Sequence, residues 1–386
     1  MRISRVSGRG ELAAFIDLPF TLYKNDPNWV PPLKADIRKL LDQSHHPFYD
    51  NGREAEIELF LARDGRKVVG RIAAIVNHAH NRAHEENVAF FGFFETVNRS
   101  DVASALLAEA EGWARERGVD AVRGPANPST NYECGLLVKG FDQPPVLMTT
   151  YNPPWYADLI EGAGYAKVKD LYAYISPVHD DSLQRLKKLG ARTQRRNPGL
   201  TTRSIDLKQF DSEVALIKEL YNAAWEKNWG FVPVSSAEFD ALAGELKDLV
   251  HPGLVRIAFI DDLAVGFILT VPDWNPVLKD IGGALWRHPI KLIRHLLFTK
   301  ADSLKGIRLI LLGVREGFRN RGIESLLFAN GIEVSLEAGY EWCEYSWILE
   351  DNERTKGTVR LMGGELYKIY RMYEKSLERR RQSTVD

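Results

Sequence analysis

Residues 308–327 predict one complete unit of an α/β fold. Residues 309–312 are uncharged, apolar and of strand length. Apolar residues at helical spacing then begin at Ile323 and continue to Val334. The segment between them is short and rich in arginine and glycine, so we expect a buried strand, a tight turn and a helix.

The turn combines positive charge with backbone freedom. It contains Arg315, Arg319 and Arg321 beside Gly317 and Gly322. A helix N-terminus presents unpaired backbone N–H groups and the positive end of the helix dipole. Glycine lets the backbone approach a ligand closely. This pattern is suited to a phosphate or pyrophosphate group; the alternative is an ordinary strand-to-helix turn with solvated arginines.

Composition limits the classes of partner. The chain has 386 residues, enough for two or three domains, and its formal net charge is −1. That balance gives no bulk attraction for nucleic acid, so a DNA partner is not expected. Cys134 and Cys343 are its two cysteines. They provide neither a disulfide framework nor zinc-ligand spacing, and no metal is predicted.

No apolar run approaches the roughly 20 residues that span a bilayer, and no signal-type apolar region follows the N-terminus. A cytoplasmic protein without a membrane span is therefore expected. Residues 285–298 mix apolar with basic side chains. They predict an amphipathic helix that packs on its own domain or, alternatively, lies on a membrane surface.

The two halves of the chain predict the same order of elements: a strand pair, a third strand, a helix and a fourth strand. In the first half, an Asp-Gly hairpin signal at residues 64–65 separates the strand pair. The predicted elements are strands 56–62, 68–76 and 88–94, helix 101–116 and strand 119–123, then strands 254–260, 264–271 and 308–314, helix 323–338 and strand 342–349.

The closing segments of the halves also match. Asn152 begins a helical segment that ends at Gly164, and Asn352 begins one that ends at Gly364. A tyrosine-rich strand follows each. The offset is 200 residues in both pairs, which indicates an internal duplication, with coincidental αβ order as the alternative.

A basic stretch separates the halves. Residues 185–203 contain seven lysine or arginine residues and no acid. We interpret residues 181–200 as a linker between a domain of residues 1–180 and a domain of residues 201–386. A solvated linker face is the simpler interpretation; binding of nucleic acid or an anionic substrate is the alternative.

The order of strand, Arg-x-x-Gly turn, helix, strand and Asn-led helix resembles the GNAT acyltransferase superfamily. Residues 319–323, Arg-Asn-Arg-Gly-Ile, resemble its pyrophosphate loop. The second half resembles a complete GNAT domain and the first a diverged one, as in uncharacterised bacterial two-domain GNAT proteins. The resemblance implies an α/β fold with mixed sheets and two tandem GNAT-like domains.

The resemblance also implies a site for acetyl-CoA or another acyl-CoA as cosubstrate. The strand backbone of Leu312, Gly313 and Val314 would meet the pantetheine arm. The pyrophosphate would be held by the loop residues Arg319, Asn320, Arg321, Gly322 and Ile323. Asn352, at the start of the next helix, would approach the CoA arm.

The chain departs from the family pattern at two positions. Glu324 stands where the family prefers glycine or alanine, and Val359 stands near the position of its general-acid tyrosine. We predict Glu344 as a base acting directly or through water, and Tyr370 as the acid, with Tyr367 also near in sequence. The alternative for Glu344 is a strand carboxylate that faces solvent or pairs with an arginine.

The first half has no Arg-x-x-Gly loop, so CoA binding is not expected there. Its segment 124–154 is instead long and rich in hydrogen-bonding side chains. We predict that Asn131 and Glu133 line an acceptor pocket; bracing of a domain interface is equally compatible with the pattern.

The function predicted is acyl transfer from acyl-CoA to an amine of a small molecule or amino acid. A degenerate acyl-CoA-binding sensor or scaffold is the first alternative. Transfer of an aminoacyl group from tRNA is the second, and it requires RNA binding that is lost when Arg192, Arg195 and Arg196 are neutralised. RNA is not expected otherwise, and the sequence does not define an oligomeric state.

Overall fold

The computed structural model describes residues 1–225, 229–283 and 304–377. The predicted amphipathic segment 285–298 lies outside these residues. The strands are β1 Arg2–Arg5, β2 Ala55–Asp64, β3 Lys67–Asn77, β4 Val88–Thr96, β5 Ala121–Gly124, β6 Ala126–Asn127, β7 Glu133–Cys134, β8 Leu136–Lys139, β9 Ala166–Pro177, β10 Leu200–Ser204, β11 Val255–Ile260, β12 Leu263–Pro272, β13 Gly306–Val314, β14 Trp342–Leu349 and β15 Glu365–Ser376.

The α-helices of the described residues alternate with these strands. They are α1 Gly8–Leu22, α2 Lys34–Leu40, α3 His78–His84, α4 Ser100–Glu116, α5 Tyr156–Gly162, α6 Asp180–Arg196, α7 Phe210–Trp225, α8 Ser236–Leu246, α9 Asn275–Ile281, α10 Ile323–Glu337 and α11 Glu353–Leu361. None of them is both long and apolar enough to cross a membrane.

The chain divides into two compact units. Unit 1 contains residues 1–171, 282–284 and 369–386, and unit 2 contains residues 172–281 and 285–368. Strands β9 and β15 are each divided between the units, so the final strand of the chain begins in unit 2 and ends in unit 1.

In unit 1, β1 to β4 form an antiparallel series, β5 is parallel to β4, and the end of β15 is antiparallel to β5. Helix α4 covers this sheet because its apolar residues recur at helical spacing. Leu106 packs against β3 where Gly70 leaves room, since a Cβ there would lie 2.6 Å from a leucine methyl. The predicted hairpin at residues 64–65 is confirmed by the β2–β3 pairing.

In unit 2, β10 to β13 form an antiparallel series and β14 is parallel to β13. Helix α10 packs on one face of this sheet through Ile323 and Leu327, both fully buried. Phe267 of β12 and Leu220 of α7 lie in a second apolar cluster of this unit. The prediction of α/β architecture with mixed sheets is confirmed.

Helix α6 occupies most of the stretch predicted as a basic linker. Leu183, Leu186 and Gly190 recur at helical spacing and are buried, and a Cβ at Gly190 would lie 3.2 Å from Leu326 of α10. The basic residues therefore occupy the other face of a packed helix, and the domain boundaries remain a prediction.

Candidate active site

The parallel strands β13 and β14 of unit 2 are in register only at their starts. The register runs from Gly306 opposite Trp342 to Leu309 opposite Tyr345. Because β13 continues to Val314 and β14 to Leu349, the two strands diverge beyond these pairs. Backbone groups of the diverging halves can therefore pair with an extended ligand.

A bulge in β13 coincides with this divergence. Leu309 pairs with Thr270 of β12 and Leu311 pairs with Leu269, so Ile310 is an extra residue in the strand. A bulge bends a strand and redirects its backbone groups, and bulges are over-represented beside active sites. The bulge at Ile310 thus lies where the β13–β14 register ends, directly before the predicted segment of Leu312, Gly313 and Val314.

The loop between β13 and α10 has the backbone geometry of an anion site. Asn320 and Gly322 have positive φ angles of 64° and 82°. Gly322 is the N-cap residue and provides no side-chain cap for the start of α10 at Ile323. A Cβ at Gly322 would lie 2.5 Å from Thr193 Oγ1. Only glycine fits this position, and the helix dipole favours an anion at the uncapped end.

The three arginines of the loop have different contacts. Arg315 pairs with Glu219, and the Arg319 guanidinium donates to the Val314 and Ala224 carbonyl oxygens at 3.2 and 2.7 Å. Arg321 is exposed, and its guanidinium lies 4.9 Å from the Phe318 ring centroid. Among the described residues it has no carboxylate partner. Arg319 therefore holds the loop in place, and Arg321 is available to an anion.

The negative charge of Glu324, beside the candidate anion site, is compensated by a neighbouring cation. Its carboxylate pairs with Arg354 in the first turn of α11. Asn352 is the N-cap of α11, and its side-chain oxygen accepts a hydrogen bond from Thr355 N at 3.1 Å. The Arg354 charge offsets the repulsion that the sequence suggested between Glu324 and a nearby pyrophosphate. Because the side-chain oxygen of Asn352 caps the helix, its amide nitrogen is the group that could contact a ligand.

Glu344 lies in a buried polar cluster of unit 2, in register with Arg308 on β13. Its side chain is fully buried, and Arg308 is 2% exposed. Ser346 Oγ donates to Glu344 Oε1 at 2.5 Å and accepts from Arg308 Nε at 2.9 Å. The Tyr367 hydroxyl donates to Glu344 Oε2. Each oxygen of the Glu344 carboxylate therefore accepts a hydrogen bond. Glu344 belongs to the last residue pairs before β13 and β14 diverge.

Burial raises the pKa of Glu344, while the charges of Arg308 and Lys368 and the Ser346 hydrogen bond act against that rise. A carboxylate with a raised pKa is a stronger base once it is ionised. Tyr367 is partly exposed, whereas Glu344 is fully buried.

The predicted acid, Tyr370, belongs to unit 1, whereas Glu344 belongs to unit 2. Tyr370 is fully buried and pairs with Leu137 of β8. Its predicted role as an acid stays a prediction. Sequence reasoning did not assign roles to Arg308 and Ser346; the available signal was strand periodicity, which places Ser346 and Glu344 on the same face of β14.

Unit 1 contains a similar divergence between β4 and β5, but its own chain fills the gap. Their parallel register ends at Phe90 opposite Arg123. Beyond it, Asn127 Oδ1 accepts a hydrogen bond from Phe93 N at 2.6 Å. A Cβ at Gly92 would lie 1.8 Å from the Ala126 oxygen. Residues of β6 therefore lie in the gap beyond the paired parts of β4 and β5.

The predicted acceptor residues lie just after this segment. Glu133 pairs with Asn127 in the short β6–β7 ladder. The Asn131 backbone N–H donates to Ser129 Oγ at 3.2 Å. Both residues thus belong to the loop structure that follows the gap, and their role in acceptor binding stays a prediction.

Comparison with known proteins assigns the fold and the family. No family model matches the chain. Over 97% of this chain and 98% of the other, it superposes on a tandem GNAT protein from the clavulanic acid biosynthesis pathway with a TM-score of 0.58 and 14% identity. A GCN5-related N-acetyltransferase from Sphaerobacter thermophilus, at 14% identity, covers 97% of the chain with a TM-score of 0.50. The chain therefore has the fold of a tandem GNAT protein.

Two relatives extend over nearly the full length of this chain. The bacterial ceramide synthase of Caulobacter vibrioides is 34% identical over 374 residues, which is 95% of each chain. Protein YghO of Escherichia coli is 32% identical over 376 residues, 96% of this chain and 94% of its own. The chain therefore belongs to the same family as these two proteins.

Proposed function

We propose that the chain is an acyl-CoA-dependent N-acyltransferase whose acyl-CoA site is the gap between β13 and β14. The observation that carries this proposal is the divergence of these strands directly before an uncapped helix start. An extended pantetheine arm has amide groups that can pair with the backbone of residues 311–314. The pyrophosphate would then meet the N–H groups at the start of α10 and the side chain of Arg321.

The buried cluster would supply the base. An ammonium acceptor must lose a proton before its nitrogen can attack the thioester carbonyl. The Tyr367 hydroxyl can accept that proton as it passes its own to Glu344. The C–N bond forms, the C–S bond breaks, and the CoA thiolate leaves. The thiolate takes up the second proton, which the nitrogen loses as it becomes an amide. Backbone N–H groups of the open part of β13 would stabilise the oxyanion.

The named relative supports a lipid substrate. A ceramide is an amide of a fatty acid and a long-chain amino alcohol. Because the chain aligns with the Caulobacter ceramide synthase over 95% of both lengths, we propose a fatty acyl-CoA as donor and a long-chain amino alcohol as acceptor. This proposal replaces acetyl-CoA as the expected donor and an amine of a small molecule or amino acid as the expected acceptor.

The test is a transfer assay with the purified chain. Palmitoyl-CoA with sphinganine is expected to give free CoA thiol and an N-acyl product identified by mass spectrometry. Acetyl-CoA and an amino acid acceptor should give at least tenfold less product, since neither buries comparable apolar surface, at about 0.8 kcal/mol per CH₂. A matched acceptor without the amine, octadecanol, is the control. Product from acetyl-CoA at an equal rate would contradict the proposed donor.

A further inference from the structure

Helix α6 presents a broad basic face to solvent. Arg185, Lys188, Arg192, Arg195 and Arg196 are all exposed. Within the described parts of the chain, none of the five has a carboxylate partner. These five cations are a local concentration of positive charge in a chain whose net charge is −1. The acidic residues of α6, Asp180 and Asp181, lie in its first turn.

The face is held rigidly by the packing of the helix. Leu183 and Leu186 are buried on the opposite side, which faces α10. Lys187 pairs with Glu333 of α10 at 2.6 Å and is therefore not part of the exposed face. Leu189, which is 38% exposed, lies among the basic side chains. A preformed face of this kind loses little conformational entropy when it binds a partner.

We propose that this face docks the protein on an anionic lipid bilayer. Clusters of four to eight basic residues on an amphipathic helix are typical of anionic lipid binding. From Arg185 to Arg196 the face is about 16 Å long, at 1.5 Å per residue, which is enough to contact several headgroups. Leu189 adds an exposed apolar side chain at the edge of this face. Single-stranded nucleic acid would favour stacking aromatics, and α6 contains none.

The position of α6 connects this surface with the candidate active site. Thr193 Oγ1 donates to the Gly322 carbonyl oxygen at 3.3 Å, and the Asn197 amide donates to the Arg321 carbonyl oxygen at 3.3 Å. Docking through α6 would therefore bring the loop before α10 close to the membrane. This arrangement aids catalysis only through the proposed function. Lipid substrates partition into bilayers, so docking would bring the candidate active site to them.

The experiment compares binding to vesicles. Wild-type protein is sedimented with vesicles of phosphatidylcholine alone or with about one quarter phosphatidylglycerol. A triple variant carries Arg185→Glu, Lys188→Glu and Arg192→Glu. The control triple variant carries Arg9→Glu, Arg66→Glu and Lys67→Glu, three exposed cations outside this face with the same total charge change.

Wild type and the control are expected to bind the anionic vesicles and not the neutral ones. The α6 variant should bind them roughly 100-fold more weakly, since each basic side chain near an anionic surface contributes about a fivefold factor. Equal binding of all three proteins, or RNA binding lost in the α6 variant without any vesicle binding, would overturn the proposal. Titration with CoA tests the proposed acyl-CoA site separately from membrane docking, because the α6 variant should retain CoA affinity even when vesicle binding is lost.

Discussion

Glu344→Gln is expected to lower kcat for acyl transfer by roughly 100- to 10,000-fold, the usual contribution of a general base. Glutamine keeps the size of the side chain and can still contact Ser346 and Tyr367, but it cannot take up a proton. Acyl-CoA affinity should stay within about threefold of wild type. Steady-state kinetics with calorimetry of acyl-CoA binding separate these two effects.

The pH profile provides a second measurement of the same role. Burial raises the pKa of Glu344, so the rate should fall on acidification at a pH above the ordinary glutamate value of about 4.3. This acid limb should disappear from the residual activity of Glu344→Gln. The matched control is Glu341→Gln, an exposed carboxylate that precedes β14. A Glu344→Gln variant with wild-type kcat would remove Glu344 from the chemistry.

Arg308→Met is expected to destabilise unit 2 by about 3 kcal/mol. Removing one partner of a buried ion pair leaves the other charge in a low-dielectric interior, which costs about 3–5 kcal/mol in measured cases. Arg308 Nε lies 3.7 Å from Glu344 Oε1, and both side chains are almost fully buried. Methionine has a similar length without the charge. The thermal unfolding midpoint should therefore fall by roughly 10 °C, at about 2–4 °C per kcal/mol.

The comparison variant for Arg308→Met is Arg360→Met on α11. Arg360 is exposed, and its distance of 4.0 Å from Glu353 makes a weak surface pair. Such pairs contribute at most about 1 kcal/mol, so its midpoint should change little. If scanning calorimetry gave equal midpoints for the two variants, the buried pair would not be a major stabilising contact of unit 2.

Local patterns were sufficient to predict the repeated elements of the fold. Strand β14 was predicted with the bounds that the structure gives it, and the start of α10 was predicted at Ile323. Both follow from apolar periodicity, which depends on residues close in sequence. Gly322 was identified because glycine lets the backbone approach an anion closely, and the structure gives it a positive φ angle.

Contacts between distant residues were not predictable in the same way. The pairing of Glu324 with Arg354 and the use of Arg319 to hold backbone carbonyl groups depend on how α11 and α7 pack. The division of β15 between the units likewise has no local signal, because both parts of the strand have similar apolar periodicity. The closure of the unit 1 gap by β6 depends on the path of a loop, which the sequence indicated only as long and polar.

The most direct test of the central claim is calorimetric titration of CoA and palmitoyl-CoA into wild-type protein, Arg321→Glu and the exposed control Arg66→Glu. We predict one site per chain in wild type and the control, because unit 1 fills its own gap. The affinity of Arg321→Glu should be lower by roughly 10- to 100-fold, as expected for loss of a charge-assisted contact. Two sites per chain, no binding to wild type, or undiminished affinity in Arg321→Glu would contradict an acyl-CoA site between β13 and β14.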